Sequence, residues 1–240
     1  MAETAKILSP HKRVFLTELS AGCPLADMIE PEQLLRLKEE HPEAWVVSYV
    51  NTSAHIKALS DVCCTSANAI EVVRNVPARE VIFVPDKNLG WWVKKNVADK
   101  EIIAWDGFCY VHEQFTLSDY EEARRSYPDA EIIVHPECIP DILEKADFVL
   151  STSGMLRRAK ESPAKRFIIG TEEGLIFRLK RENPDKEFYS LGVARVCSNM
   201  KKTRLEEVCQ SLEKQVYEIR LDKEIIAKAT NAIERMVSYV

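Results

Sequence analysis

Three cysteines recur at nearly equal intervals along the 240-residue chain, as expected of ligands that meet in a repeated fold. Cys109 follows Cys23 by 86 residues, and Cys197 follows Cys109 by 88 residues. Equivalent positions of repeated units face a common pseudo-symmetry axis, so we expect the three thiolates to gather there. Three thiolates suit a 4Fe-4S cluster with one open iron, which could act as a Lewis acid on a substrate oxygen. Packing of three small apolar side chains at equivalent loop starts is the alternative that the spacing leaves open.

The 86-residue shift also superimposes other segments, which indicates an internal repeat. The matched pairs are 42–44 with 128–130, 46–51 with 132–137, and 61–66 with 147–152. Each unit reads as a short apolar strand, a polar turn and an amphipathic helix, the pattern of a parallel sheet with crossover helices. The sequence therefore predicts an α/β fold: a pseudo-threefold repeat of αβα units with short parallel sheets, a cluster at the axis and a largely absent first unit.

The repeat also predicts where the elements and units lie. Strands are expected near 14–16, 45–50, 81–84, 102–104, 131–135, 148–150 and 167–169. Helices are expected near 32–40, 67–75, 89–95, 118–126, 173–181, 203–214 and 222–238. We divide the chain into a terminal helix of an incomplete unit at 1–10, αβα units at 11–97 and 98–185, and a C-terminal segment at 186–240 with the third cysteine and closing helices.

Composition and charge argue against several classes of protein. The net charge of −5 and the absence of a basic stripe argue against a nucleic-acid partner. The longest apolar runs are strand-sized, which argues against a membrane span, and the first ten residues lack the apolar core of a signal peptide. We therefore expect a cytoplasmic chain whose seven cysteines are reduced.

Polar side chains follow the predicted strands at repeat-equivalent places. Tyr49 and Asn51 leave one strand as His135 and Glu137 leave its equivalent, and the two-residue period of a strand puts each pair on one face. A His and Glu pair suits proton transfer near neutral pH, while Tyr49 and Asn51 can orient carboxylates by hydrogen bonds. A purely structural role for these strand-end residues is the alternative.

Four further residues are candidates for a functional role. Ser66 and the pair Ser151 and Thr152 lie where helices begin after parallel strands, a place that favours phosphate binding, although simple N-capping is the competing interpretation. His112 lies three residues after Cys109 and could donate a hydrogen bond to the surroundings of the cluster ligands, act as an acid, or be a surface histidine.

Seven ordered segments together resemble the motifs of the quinolinate synthase family, the iron-sulfur quinolinate synthetase A proteins. Three contain the spaced cysteines and four contain the polar candidates: 21–28, 107–112, 196–202, 49–51, 65–69, 135–138 and 151–155. The resemblance covers essentially the whole chain. It implies Cys23, Cys109 and Cys197 as ligands of a 4Fe-4S cluster.

The resemblance also implies a function. Family members are transferases that condense iminoaspartate with dihydroxyacetone phosphate, losing phosphate and water, to form quinolinate on the de novo route to NAD. The implied catalytic residues are Tyr49, His112, His135 and Glu137, and the implied substrate contacts are Tyr49, Asn51, Ser66, His135, Glu137, Ser151 and Thr152. A functional link to an enzyme that produces iminoaspartate follows as well.

The sequence departs from the family at its start, where family members carry a further domain with two substrate-facing motifs. Neither motif has a match here, so we expect the chain to lack most of the N-terminal domain. A misassigned start or incomplete gene, a separately encoded domain, and a genuine loss of catalysis all remain open. The rival function is a non-catalytic iron-sulfur or zinc-binding protein, or a fragment that is inactive by itself.

Overall fold

The computed structural model describes residues 1–239, which form two compact units. The first unit comprises Met1–Gly107 and the segment from Ser198 onward, and the second comprises Phe108–Cys197. Each unit contains one four-stranded parallel sheet flanked by helices. The predicted α/β class with short parallel sheets is confirmed.

The first unit alternates short helices with apolar strands. Its elements are α1 (Ala2–Leu8), α2 (Pro31–Glu40), β1 (Trp45–Tyr49), α3 (Ala54–Leu59), β2 (Val62–Cys64), α4 (Ala69–Asn75), β3 (Glu80–Val84), α5 (Lys87–Asn96), β4 (Glu101–Ala104), α10 (Leu205–Lys214) and α11 (Lys223–Ser238), where α10 and α11 are numbered in chain order. The chain enters α2 through Pro31 at its first turn and a capping box formed by Glu30 and Gln33. The sheet order is β2-β1-β3-β4, and α11 packs on α3 and β2.

The second unit repeats this arrangement. Its elements are α6 (Leu117–Ser126), β5 (Glu131–Val134), α7 (Pro140–Lys145), β6 (Phe148–Val149), α8 (Thr152–Glu161), β7 (Arg166–Gly170), α9 (Gly174–Glu182) and β8 (Glu187–Ser190). The sheet order is β6-β5-β7-β8, the same as in the first unit, and all its strand pairs are parallel. Strands covered on both faces are continuous apolar runs, which explains why Ile132, Ile133 and Val134 are fully buried.

The 86-residue period extends to individual hydrogen bonds. The carboxylate of Asp61 accepts from the backbone N–H of Val46 at 2.8 Å, and that of Asp147 accepts from the N–H of Ile132 at 2.8 Å. Each carboxylate thus satisfies the backbone donor of the second residue of its strand, β1 or β5. The repeat is therefore a repeat of structure as well as of residue types.

At one pair of facing residues near the carboxyl ends of their central strands, the two sheets place the small side chain on opposite strands. Ser48 of β1 lies opposite Val84 of β3, whereas Val134 of β5 lies opposite Gly170 of β7. In the first sheet the small residue is on β1 and the valine on β3, whereas in the second sheet the valine is on β5 and the small residue on β7. A Cβ atom on Gly170 would lie 2.7 Å from Cγ1 of Val134, so the second sheet has room for only one large side chain here.

Several predicted elements are wrong in detail. Residues 14–16 form no strand, and only Phe15 makes an isolated bridge, to Glu218. The strand at 102–104, which the repeat placed in the second unit, pairs with β3 and completes the first sheet. The helices α3 and α7 were not predicted. Among residues 1–239, no helix combines the length and apolarity that a membrane crossing requires.

Candidate active site at the carboxyl end of the second sheet

The carboxyl ends of β5 and β7 place polar side chains side by side, as expected at such an edge of a parallel sheet. His135 follows β5 directly, and its backbone N–H donates to the carbonyl of Gly170 at 3.0 Å, which extends the pairing with β7. Glu137 lies two residues further on, and Thr171 follows β7. All three residues are buried, with 3–4% of their surface exposed.

The ring of His112 lies against these residues. His112 begins a short 3-10 turn, His112–Gln114, and its side chain is 8% exposed. Its Nε2 is 2.9 Å from Oγ1 of Thr171, a hydrogen bond. Its Nδ1 is 2.9 Å from Oε2 of Glu137, but the approach lacks hydrogen-bond geometry, so this nitrogen has no hydrogen-bond partner among residues 1–239.

His135 stacks on His112, with ring centroids 4.7 Å apart and planes inclined by 22°. Burial lowers the pKa of His135 to about 4; the Glu137 carboxylate opposes this lowering, and His112 adds a smaller lowering of its own. His135 is therefore neutral at pH 7. Its Nδ1 accepts from the backbone N–H of Glu137 at 3.4 Å, which leaves the ring proton on Nε2.

Cys109 joins this cluster from the loop before the turn. Its Sγ, one ring nitrogen of His112 and one carboxylate oxygen of Glu137 all lie within 4.8 Å of one another. The backbone carbonyl of Cys109 accepts from the N–H of Glu113 at 2.9 Å, which ties the cysteine to the turn that carries His112. The second unit thus brings a thiol, two imidazoles and a carboxylate together.

Cys197 lies in the same unit with a different set of partners. The Tyr110 hydroxyl donates to Sγ of Cys197 at 3.6 Å, and the Cys197 backbone N–H donates to Oε1 of Glu172 at 3.3 Å. Cys109 and Cys197 are both half-buried, and neither forms a disulfide within residues 1–239. Hydrogen bonds to sulfur are typical around iron-sulfur centres, where they tune the potential.

The remaining cysteines differ from these two in burial. Burial raises the pKa of the Cys63 and Cys64 thiols, so both stay protonated and apolar, and Cys138 is also buried. Cys23 is exposed, in the first unit, just before the turn Pro24–Asp27. The thiols of Cys23, Cys109 and Cys197 are thus more accessible than those of the three buried cysteines, and thiolates are the ligands that suit an iron-sulfur cluster.

The predicted residues of the first unit lie at the carboxyl edge of its own sheet. Tyr49 ends β1 and is buried, and Asn51 follows it half-buried. The half-buried Ser66 lies in the turn before α4, and the backbone N–H of Val50 donates to the carbonyl of Cys64 at 2.9 Å, which keeps the ends of β1 and β2 together. The helix predicted from residue 67 begins at Ala69, so Ser66 is not its N-cap.

Ser151 and Thr152 mark the start of α8. Ser151 is the N-cap, its Oγ accepts from the N–H of Gly154 at 3.3 Å, and it contacts Oγ of Ser153 at 3.1 Å. Thr152 is the exposed first residue of the helix. The N-capping interpretation is therefore correct for Ser151, and it leaves the exposed first turn of α8 open to an anion.

One alternative left open by the sequence is wrong, and one residue was missed. His112 is buried, so it is not a surface histidine. Thr171 was not predicted. The signal was present, because Thr171 is a polar residue directly after a parallel strand, the rule that selected His135.

Comparison with known proteins assigns the chain to a family. The family model described as "Quinolinate synthetase A protein" matches residues 1–238. The chain belongs to the quinolinate synthase family. It is 51% identical to the quinolinate synthase of Thermodesulfovibrio yellowstonii over 240 residues, which are 100% of this chain and 79% of that protein.

Two further quinolinate synthases show the same extent of similarity. That of Caldicellulosiruptor saccharolyticus is 49% identical over 237 residues, 99% of this chain and 78% of the relative. Quinolinate synthase 2 of Methanosarcina acetivorans is 50% identical over 238 residues, 99% of this chain and 76% of the relative. The resemblance inferred from the seven motifs is confirmed, and with it membership of an enzyme family.

Proposed function

We propose that this chain forms quinolinate by condensing iminoaspartate with dihydroxyacetone phosphate, with loss of phosphate and water, in the de novo route to NAD. The observation that supports this most directly is the buried cluster of His112, His135 and Glu137 beside Cys109, in a chain that belongs to the quinolinate synthase family. Buried ionisable groups that face one another lower the stability of a protein, and such groups are concentrated at functional sites.

We propose Cys23, Cys109 and Cys197 as the ligands of a 4Fe-4S cluster. None of the three forms a disulfide within the described residues; Cys109 and Cys197 are half-buried, and Cys23 is exposed. The cluster would supply a Lewis acid for a substrate oxygen, because three protein ligands leave one iron open. An open cluster and reduced thiols require a reducing compartment, so we propose a cytoplasmic location.

Proton transfer falls to His135 and Glu137 in this proposal. Tautomerisation of an enol moves a proton between carbon and oxygen, and dehydration removes a carbon-bound proton while a hydroxyl leaves as water. The Glu137 carboxylate, in its ionised form, would accept the carbon-bound proton. The neutral His135 ring, with its proton on Nε2, can donate a hydrogen bond to a substrate oxygen without adding charge.

Substrate binding falls to residues at the ends of both sheets. We propose that Tyr49 and Asn51 bind the carboxylates of the iminoaspartate part, because each has a hydrogen-bond donor near the end of β1. Ser66, Ser151 and Thr152 are proposed to bind the phosphate, the last two at the first turn of α8, where helix N–H groups favour an anion. Iminoaspartate hydrolyses in water, so an enzyme that produces it is the proposed functional partner.

The test compares Glu137→Gln with wild type and with Glu121→Gln, a control on the exposed face of α6. Each chain is reconstituted anaerobically, and iron, sulfide and quinolinate formation are measured. We expect Glu137→Gln to retain its iron and lose about 10²–10⁴-fold in turnover, the usual effect of removing a general base.

The opposite results are equally informative. Unchanged turnover in Glu137→Gln would contradict its catalytic role. Wild-type chain that carries iron and sulfide but forms no quinolinate from both substrates would favour the non-catalytic cluster-binding function. The ligand proposal predicts that Cys109→Ala and Cys197→Ala each lose the cluster iron.

A further inference from the structure

The thiol of Cys109, the ring of His112 and the carboxylate of Glu137 form a compact set of three different ligand types. We propose that the chain, when it carries no cluster, binds one divalent transition-metal ion, zinc above all, at Cys109, His112 and Glu137. The three ligand atoms lie within 4.8 Å of one another. Zinc bonds of about 2.0–2.3 Å need ligand atoms about 3.5 Å apart, so small side-chain rotations close the site.

A second observation points to the same site. Nδ1 of His112 is buried without a hydrogen-bond partner among the described residues, although it lies 2.9 Å from Oε2 of Glu137. A buried ring nitrogen left without a hydrogen bond is costly, because it has lost its contact with water and gained no replacement. A metal ion between this nitrogen and the carboxylate would use the lone pair and replace the missing hydrogen bond.

The opposite side of the ring has the support that metal-binding histidines require. Nε2 of His112 is 2.9 Å from Oγ1 of Thr171, which is 3% exposed. With Nε2 as the donor, the neutral ring presents its lone pair on Nδ1, towards Glu137. Metal-binding histidines almost always donate their other N–H to an oxygen in this way, and removal of such a partner costs about 10–100-fold in affinity.

The chemistry of the set selects the kind of ion. One thiolate, one imidazole and one carboxylate suit zinc or a similar borderline ion rather than magnesium or calcium, which prefer oxygen ligands alone. The thiolate and carboxylate together neutralise a doubly charged ion, which a buried site requires. Three protein ligands leave a fourth position for water, as in other zinc sites with an open position.

This site differs from the proposed cluster site in its ligands. It uses Cys109 but neither Cys197, whose partners are Tyr110 and Glu172, nor Cys23. One thiolate cannot serve both groups fully, so zinc at this site would exclude cluster assembly until it is removed. This last consequence rests on the proposed function, whereas the metal site itself does not.

The test uses the full chain, stripped of metal with a chelator under anaerobic, reducing conditions and titrated with Co²⁺ as a coloured substitute for zinc. We expect one Co²⁺ per chain, a thiolate-to-cobalt absorption band in the near ultraviolet, and displacement by one equivalent of Zn²⁺. Cys109→Ser should remove the band, and Glu137→Gln should weaken binding at least tenfold. Circular dichroism checks that each variant is folded.

Two comparisons make the test specific. Cys197→Ser should keep both the band and the affinity while losing the ability to hold a cluster. Thr171→Val should weaken Co²⁺ binding about 10–100-fold, and Thr171→Ser should restore it, because it returns the hydroxyl. A band that persists in Cys109→Ser, a band lost in Cys197→Ser, or wild-type affinity in Thr171→Val would each overturn the proposal.

The two proposals fail separately. A chain that binds cobalt at this site but forms no quinolinate after cluster reconstitution would retain the metal site and lose the proposed function. A chain that forms quinolinate but shows no cobalt-thiolate band when stripped would do the reverse.

Discussion

The contact between β5 and β7 at Gly170 offers a sharp test of how the second sheet is packed. A methyl group on Gly170 would lie 2.7 Å from Cγ1 and 3.1 Å from Cβ of Val134, and 3.3 Å from Cδ2 of Leu191. Carbon atoms pack best at about 3.5–4.0 Å, so Gly170→Ala forces the two central strands apart or Val134 into another rotamer.

The size of the effect follows from two opposing terms. Overpacking of a well-filled core costs about 1–3 kcal/mol. Replacing glycine with alanine lowers the entropy of the unfolded chain and returns about 0.4–1 kcal/mol, since Gly170 has no positive φ angle that would penalise alanine. The expected net loss for Gly170→Ala is therefore about 1–2 kcal/mol.

Urea unfolding followed by far-ultraviolet circular dichroism measures this loss, with the slope of the transition expected to stay constant. Gly22→Ala is the matched control, because its added methyl would come no closer than 3.8 Å to Oδ2 of Asp27. The second variant is Val134→Ala, which removes Cγ1, the atom closest to the new methyl, and keeps Cβ. In that background we expect Gly170→Ala to cost clearly less than in the wild-type chain, a coupling of about 1 kcal/mol.

Two outcomes would refute the reasoning. Gly170→Ala with wild-type stability would mean that the strands adjust without cost. Equal losses for Gly170→Ala in the wild-type and Val134→Ala chains would mean that the loss does not come from this contact. The first sheet already pairs the small Ser48 with Val84, which is why relief by a smaller residue at 134 is expected.

The remaining predictions concern the helix α8 and its neighbours. Burial raises the pKa of Glu131, but hydrogen bonds from Arg158 and Ser162 outweigh it, so the pKa lies below its ordinary value. Its stabilising effect is thus present above the unfolded pKa of about 4.3 and is lost as the pH falls through the folded value. Urea midpoints of wild type and Glu131→Gln should differ most at pH 7 and converge below pH 4; a constant difference would argue against this. Lys186 donates to the carbonyls of Ala159 at 2.6 Å and Ser162 at 2.7 Å, at the end of α8. Lys186→Met should lower the free energy of unfolding by about 1–2 kcal/mol, whereas an unchanged thermal midpoint would contradict this role.

Much of the fold could be predicted because the two units have similar residues at equivalent positions. The shift that aligns residues 46–51 with 132–137 found the central strands of both sheets, and the apolar runs marked them as buried. The helices α3 and α7 escaped because each has six residues, too few for a helical period to appear. The strand at 102–104 was assigned to the wrong sheet because local sequence does not show which neighbour a strand pairs with.

The site was less predictable than the fold. His135 and Glu137 were found by their place after a strand, and His112 only by its distance from Cys109. The contact of His112 with Thr171 joins residues 59 positions apart, and no local pattern announces it. Which nitrogen of His112 lacks a partner depends on three side chains from three loops, so that information exists only in the folded chain.

The strand β8 is at the edge of its sheet and has one neighbour, β7. Cys197 lies in the loop that follows this edge strand, seven residues after the last residue of β8, Ser190. Edge strands unfold locally more readily than central ones, and local unfolding of β8 would displace the thiol of Cys197. A group bound to Cys197 should therefore stabilise β8, and amide hydrogen exchange along β8 should slow when that group binds.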